Sequence, residues 1–174
     1  EFSLPYTVIC GSHPGKTVLI TAAVHGGEYV GIQSAIELGR DLKIEKMTGT
    51  VIIVKVVGRD EFENRHGSLC RETGENLNRV FPGKKDGTKY EKLAYAVVNE
   101  LQKKADYYID LHSGDDYEKL TPYVYYAGKA DPEVTKISRQ MAEQVDVPYM
   151  VKSEVASGGS YNYAASCGIP SVLL

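Results

Sequence analysis

The chain has 174 residues, 43% hydrophobic and 25% charged, with a formal net charge of −3. That length suits one domain, which buries roughly 70% of its unfolded surface and needs no disulfide or structural metal to hold a core. The composition excludes disorder, collagen and coiled coil, and the lack of a basic excess argues against nucleic acid and anionic membrane as partners.

Residues 17–24 (TVLITAAV) are nearly all apolar and β-rich, the pattern of a strand covered on both faces. Residues 27–42 carry Val30, Ile32, Ile36 and Leu38 at helical spacing. Residues 51–57 (VIIVKVV) read as a second central strand. Residues 58–88 are rich in Gly, Arg, Glu and Asn and have no clean period. A loop of about thirty residues is more often functional than idle.

Residues 89–105 read as a helix with Leu93, Ala94, Val97, Val98 and Leu101 on one face. Residues 106–111 (DYYIDL) and 123–127 (YVYYA) are expected as the third and fourth strands. Asp131 as N-cap and Pro132 at the first position open a further helix, whose inner side takes Val134, Ile137, Met141 and Val145. A short strand at 148–151, a short helix at 161–167 stopped by Gly168, and a last strand at 171–174 complete the reading. A domain rarely stops on a buried strand, so residues 1–174 are expected to be a single domain truncated at its C-terminus.

Alternating strands and helices predict an α/β fold with a mostly parallel sheet between helix layers. Ligands in such folds sit at the carboxyl ends of the strands, which selects the polar residues to inspect. His25-Gly-Gly-Glu28 follows the first expected strand and His112-Ser-Gly follows the third. Two histidines and one carboxylate can bind Zn²⁺ and leave a position for water, with the glycines allowing the backbone to turn both side chains inward. The alternative is a histidine capping a strand and a surface glutamate. Asp110 shares a strand face with His112 and is either the acceptor that orients it or a solvated strand-end aspartate. In the long segment, Arg71 and the pair Asn78-Arg79 are either solvated or placed to bind carboxylates and oxyanions.

His13 and His66 are expected in solvated loops. Tyr161 or Tyr163 is a candidate to line a pocket. The three cysteines, Cys10, Cys70 and Cys167, form no CxxC pair. They are expected to be free thiols in a reducing, cytoplasmic compartment.

In this order, HGGE after a strand, NLNRVFPG and DLHSG resemble the zinc carboxypeptidase superfamily, and within it the succinylglutamate desuccinylase/aspartoacylase family. The resemblance covers essentially the whole chain. It implies a three-layer α/β/α sandwich with a mixed central sheet, and one Zn²⁺ per chain held by His25, Glu28 and His112. It implies that Arg71 stabilises an oxyanion and that Asn78 and Arg79 grip a substrate carboxylate. The family's general base is a glutamate on or just after the strand in which this chain ends, and Ser171-Val-Leu-Leu174 stops where it is expected. The further arginine by which the aspartoacylase branch reads an acidic side chain has no counterpart here, since no arginine follows Arg139.

The function implied is a zinc-dependent hydrolase of an amide bond in an N-acyl amino acid or short peptide bearing a free carboxylate. No nucleic-acid or membrane partner is expected. The alternative is a zinc-binding, non-catalytic module.

Overall fold

A computed structural model of the chain describes residues 2–174. Seven strands form one sheet in the order β1-β3-β2-β4-β7-β5-β6: β1 (Tyr6–Cys10), β2 (His13–Ala22), β3 (Thr48–Val54), β4 (Tyr107–Leu111), β5 (Tyr123–Ala127), β6 (Tyr149–Ser153) and β7 (Ser171–Leu173). The four central strands run parallel. β1 joins β3 antiparallel, and β5 joins β7 antiparallel. The sheet is therefore mixed with a parallel centre.

Five helices cover it: α1 (Tyr29–Asp41), α2 (Arg59–Asn64), α3 (Lys89–Glu100), α4 (Pro132–Ala142) and α5 (Ser160–Ser166). On one face Ile20, Ala22 and Ile53 pack with Ala35 of α1, while Val124 and Val172 pack with Ala142 of α4. On the other, Leu19 and Tyr108 pack with Leu93, Ala94, Val97 and Val98 of α3 and with Ala164 and Ala165 of α5. Period-two alternation along the parallel strands feeds the two faces, giving three layers, α/β/α. None of the described helices is long and apolar enough to cross a membrane.

Several expected elements shift or gain parts. The strand expected at 17–24 starts earlier, at His13, and stops at Ala22. Its neighbour ends at Val54, not Val57. β1 escapes the pattern because it is an edge strand with Tyr6 and Val8 turned to solvent. Val30 also faces solvent, and α1 buries Gly31, Ile32 and Ala35 instead. The segment 58–88 is no plain loop. It contains α2 and a 3-10 turn at Leu77–Arg79, both too short to display a period.

The helix starts follow local chemistry. Thr88 and Glu91 form a reciprocal capping box on α3. Asp131 caps α4, accepting from the Glu133 N–H, with Pro132 in the first turn. Gly168, at φ 91°, ends the turn after α5.

Candidate metal centre

β2 ends at Ala22, and the chain then turns sharply through Ala23, whose φ is 49°. A left-handed alanine costs about 1–2 kcal/mol. Its carbonyl is fixed by the Gly58 N–H at 2.7 Å, and the Ala22 carbonyl by the Val57 N–H at 3.1 Å. The turn carries His25 inward three residues beyond the strand, rather than directly off its end. The glycines that follow serve by being small. Neither Gly26 nor Gly27 has a positive φ, but a Cβ on Gly26 would lie 2.2 Å from the Phe62 nitrogen of α2. Glu28 comes just before α1, and His112 follows β4 at once.

These three side chains meet. One ligand atom from each of His25, Glu28 and His112 lies within 4.8 Å of the others. His25 Nδ1 lies 2.7 Å from Glu28 Oε1, and His112 Nδ1 lies 2.8 Å from Glu28 Oε2. The imidazoles stand edge to face, with centroids 5.2 Å apart. The Ser113 N–H also donates to Glu28 Oε2, at 3.3 Å.

The far nitrogens face acceptors too. His25 Nε2 donates to Asn76 Oδ1 at 3.0 Å, and His112 Nε2 lies 3.2 Å from Asp110 Oδ2, although the angles there fall outside a hydrogen bond. Asp110 is fully buried, so it is not a solvated strand-end residue.

Burial favours the neutral form of Glu28, but hydrogen bonds from His112 and His25 outweigh it and hold the carboxyl at about 2. Burial likewise works against a charged His112. The adjacent Asp110 charge, reinforced by Glu28, overcomes it and raises the imidazole to about 10. Two imidazoles with acceptors on both sides suit a cation. A neutral ring has one N–H to give, so its second acceptor is met only by a further proton, as on His112, or by a cation that it shares with the ring. A metal at Nδ1 resolves this while Nε2–H keeps its acceptor, the arrangement usual for metal-bound histidine. The donor set of two imidazoles and one carboxylate is that of hydrolytic Zn²⁺ sites.

The other expected site residues lie nearby or apart. Asn78 is buried, and its Oδ1 accepts from the Ser160 N–H of α5 at 2.8 Å. Arg79 is exposed and donates through Nη1 to the Asn78 carbonyl at 2.8 Å. Both belong to the 3-10 turn capped by Asn76. Because Asn76 also touches His25, the turn sits against the His25–Glu28–His112 cluster. Arg71 is exposed on the turn closed by the Gly74 N–H and Cys70 carbonyl. None of the hydrogen bonds or ion pairs among the described residues involves it. Tyr161 is buried in the core cluster. His13 lies exposed on β2 and His66 is half-buried, so neither fits a solvated loop in full.

The profile of the succinylglutamate desuccinylase/aspartoacylase catalytic domain matches residues 14–174. The chain belongs to this family. One curated relative, an N-alpha-acetyl-L-2,4-diaminobutyric acid deacetylase from Halomonas elongata, is 32% identical over 148 residues, 85% of this chain and 43% of the relative. Among solved structures, a succinylglutamate desuccinylase from Silicibacter superposes with a TM-score of 0.87 at 30% identity, covering 98% of this chain and 52% of the other. The product-bound ectoine utilization protein of Ruegeria pomeroyi gives 0.85 at 31% identity, covering 98% and 52%. A metallo-carboxypeptidase from Burkholderia cenocepacia shares the fold, at 18% identity and a TM-score of 0.69, covering 97% of this chain and 50% of its own. The chain thus spans about half the length of the relatives it matches.

Sequence reasoning passed over Asn76, which holds His25, and Ala23, which aims it. The signal for Asn76 was its place two residues before Asn78, where an Asx side chain readily accepts from the i+2 amide. Here it does so at 2.8 Å.

Proposed function

We propose that this protein is a zinc-dependent hydrolase that cleaves the amide bond of N-acyl amino acids carrying a free carboxylate. The observation that carries this reading is the convergence of His25, Glu28 and His112, each imidazole having acceptors at both nitrogens. Family membership and the deacetylase name of the Halomonas relative support the substrate class.

His25, Glu28 and His112 would hold one Zn²⁺ per chain. When bound, that ion supplies a water acidified toward pKa ~7 and polarises the scissile carbonyl. The remaining work belongs to side chains. Arg71, exposed on its turn, would balance the negative charge that develops on the carbonyl oxygen, a contribution of about 3 kcal/mol. Arg79 and the free amide nitrogen of Asn78 bind the substrate carboxylate and fix the scissile bond relative to the cluster. Asn78 Oδ1 cannot share this task, because it is committed to α5. Three free cysteines agree with a reducing, cytoplasmic setting.

The test is release of free amine from a panel of N-acetyl amino acids by zinc-loaded protein. Hydrolysis abolished by chelator and restored by Zn²⁺ is expected. Bound zinc without hydrolysis of any acylated amino acid or short peptide would favour the non-catalytic module instead.

A further inference from the structure

A row of polar side chains runs through the core behind His112. Gln102, just past α3, donates through Nε2 to Ser160 Oγ at 3.0 Å and to the Ser160 carbonyl at 3.3 Å. Ser160 Oγ lies 2.6 Å from the Tyr108 hydroxyl. That hydroxyl lies 2.6 Å from Thr21 Oγ1, and Thr21 Oγ1 donates to Asp110 Oδ1 at 2.6 Å. Asp110 Oδ2 is the atom 3.2 Å from His112 Nε2. Thr21, Tyr108, Asp110 and Ser160 are 0% exposed and Gln102 is 1% exposed.

Sheet register builds the row. Thr21 of β2 sits directly beside Asp110 of β4, and Tyr108, Asp110 and His112 alternate onto the same face. The direction of every proton is fixed from both ends. The Gln102 amide nitrogen must face the Ser160 carbonyl, since two oxygens would repel, so Ser160 Oγ accepts from it. Each hydroxyl has one proton. Ser160 therefore donates to Tyr108, Tyr108 to Thr21, and Thr21 to Asp110. Read backwards, Asp110 as a carboxylate only accepts, which demands the same order. Hydrogen bonds aligned in one sense polarise one another, so the bond received by Asp110 is the strongest of the series. His25 joins at the same point: Asn76 Oδ1, its partner, also accepts from Asn78 N–H, and Asn78 Oδ1 accepts from Ser160 N–H.

Four buried polar side chains are costly to keep, the more so because Gln102 Oε1 has no partner, and apolar residues would fill this space more cheaply. We propose that Gln102, Ser160, Tyr108 and Thr21 form a one-way hydrogen-bond relay that locks the Asp110 carboxylate against His112 and so sets His112 as a metal ligand. The proposal rests on the metal reading above. Thr21 and Tyr108 are positioning residues. By occupying Oδ1, Thr21 prevents the carboxylate from rotating and leaves Oδ2 for His112 Nε2. Disturbing the outer partner of a ligating histidine typically weakens metal binding about 10- to 100-fold.

The test compares Thr21→Val, Thr21→Ser and Tyr108→Phe with the unaltered protein. Zn²⁺ affinity is read by competition with a chromogenic chelator, and ligand geometry by the visible absorption of the Co²⁺-loaded protein. Thr21→Val and Tyr108→Phe are expected to bind Zn²⁺ about 10- to 100-fold more weakly with a displaced Co²⁺ band. Thr21→Ser, which keeps the hydroxyl, is expected to match the unaltered protein in both. Wild-type affinity and spectrum in a folded Thr21→Val protein would overturn the relay. Should both relay variants fail to fold by circular dichroism, Ser160→Ala removes the far hydroxyl alone, and unchanged affinity there would overturn it equally. If the unaltered protein takes up no Zn²⁺, the metal reading itself fails, a result separate from loss in the variants only.

Discussion

His112 sits between two carboxylates, Glu28 at Nδ1 and Asp110 at Nε2. Without metal this pairing has a pH signature. Glu28, held at about 2 against an ordinary 4.5, adds stability that is complete above 4.5 and lost as pH falls through about 2. His112, raised from 6.5 to about 10, adds stability that is complete below 6.5 and lost as pH rises through about 10. At about pH 7.5 His112 thus carries a proton that a metal must displace. Zinc uptake is expected to release close to one proton, visible as a dependence of titration heat on buffer ionisation enthalpy. The dependence should vanish in His112→Ala together with most of the affinity, whereas uptake without proton release would contradict the pairing.

Arg79→Ala should raise KM for carboxylate-bearing substrates about 10- to 100-fold, the worth of a charged hydrogen bond, and leave carboxylate-free esters unaffected. Equal loss on both classes would make Arg79 structural. The convergence of His25, Glu28 and His112 was legible in the sequence because His-x-x-Glu and His112 both follow strands that announce themselves. Asn76 and Thr21 were not, because a side chain that holds another side chain leaves no spacing to read.

Elements differ in how plainly they were written. α3 and α4 carry long apolar stripes and explicit caps, and β5 lies where its run of aromatic residues put it. Of the edge strands, β1 was missed and β6 was expected to end two residues early, because short strands with mostly exposed side chains lack the long apolar run of a buried parallel strand. α2 was invisible, being six residues with a polar sequence and a single buried side chain, Glu61.

That residue supports a prediction of its own. Burial pushes its carboxyl up, and both carboxylate oxygens lack partners. A carboxyl raised in the folded state binds its proton more tightly there than when unfolded, so folding weakens as pH climbs from the ordinary 4.5 through the raised folded value and stays weakened above it. Glu61→Gln should therefore raise Tm at pH 8 and raise it less at pH 5. An equal gain at both would show that ionisation is not the cause.

At the scale of the whole molecule, the parallel centre was legible from alternation, but the strand order was not. Periodicity says which face a residue takes, and not which strand lies beside it. That order matters here, because β2 beside β4 brings His25 and His112, distant in sequence, to one end of the sheet, and sets Thr21 against Asp110. This end of the sheet is expected to build one divalent-cation site from three side chains. The most direct measurement is a Zn²⁺ titration of metal-free protein, run in parallel on Glu28→Gln. One equivalent per chain, lost or weakened by orders of magnitude in the variant, is the predicted result. No uptake, or equal uptake by both proteins, would contradict it.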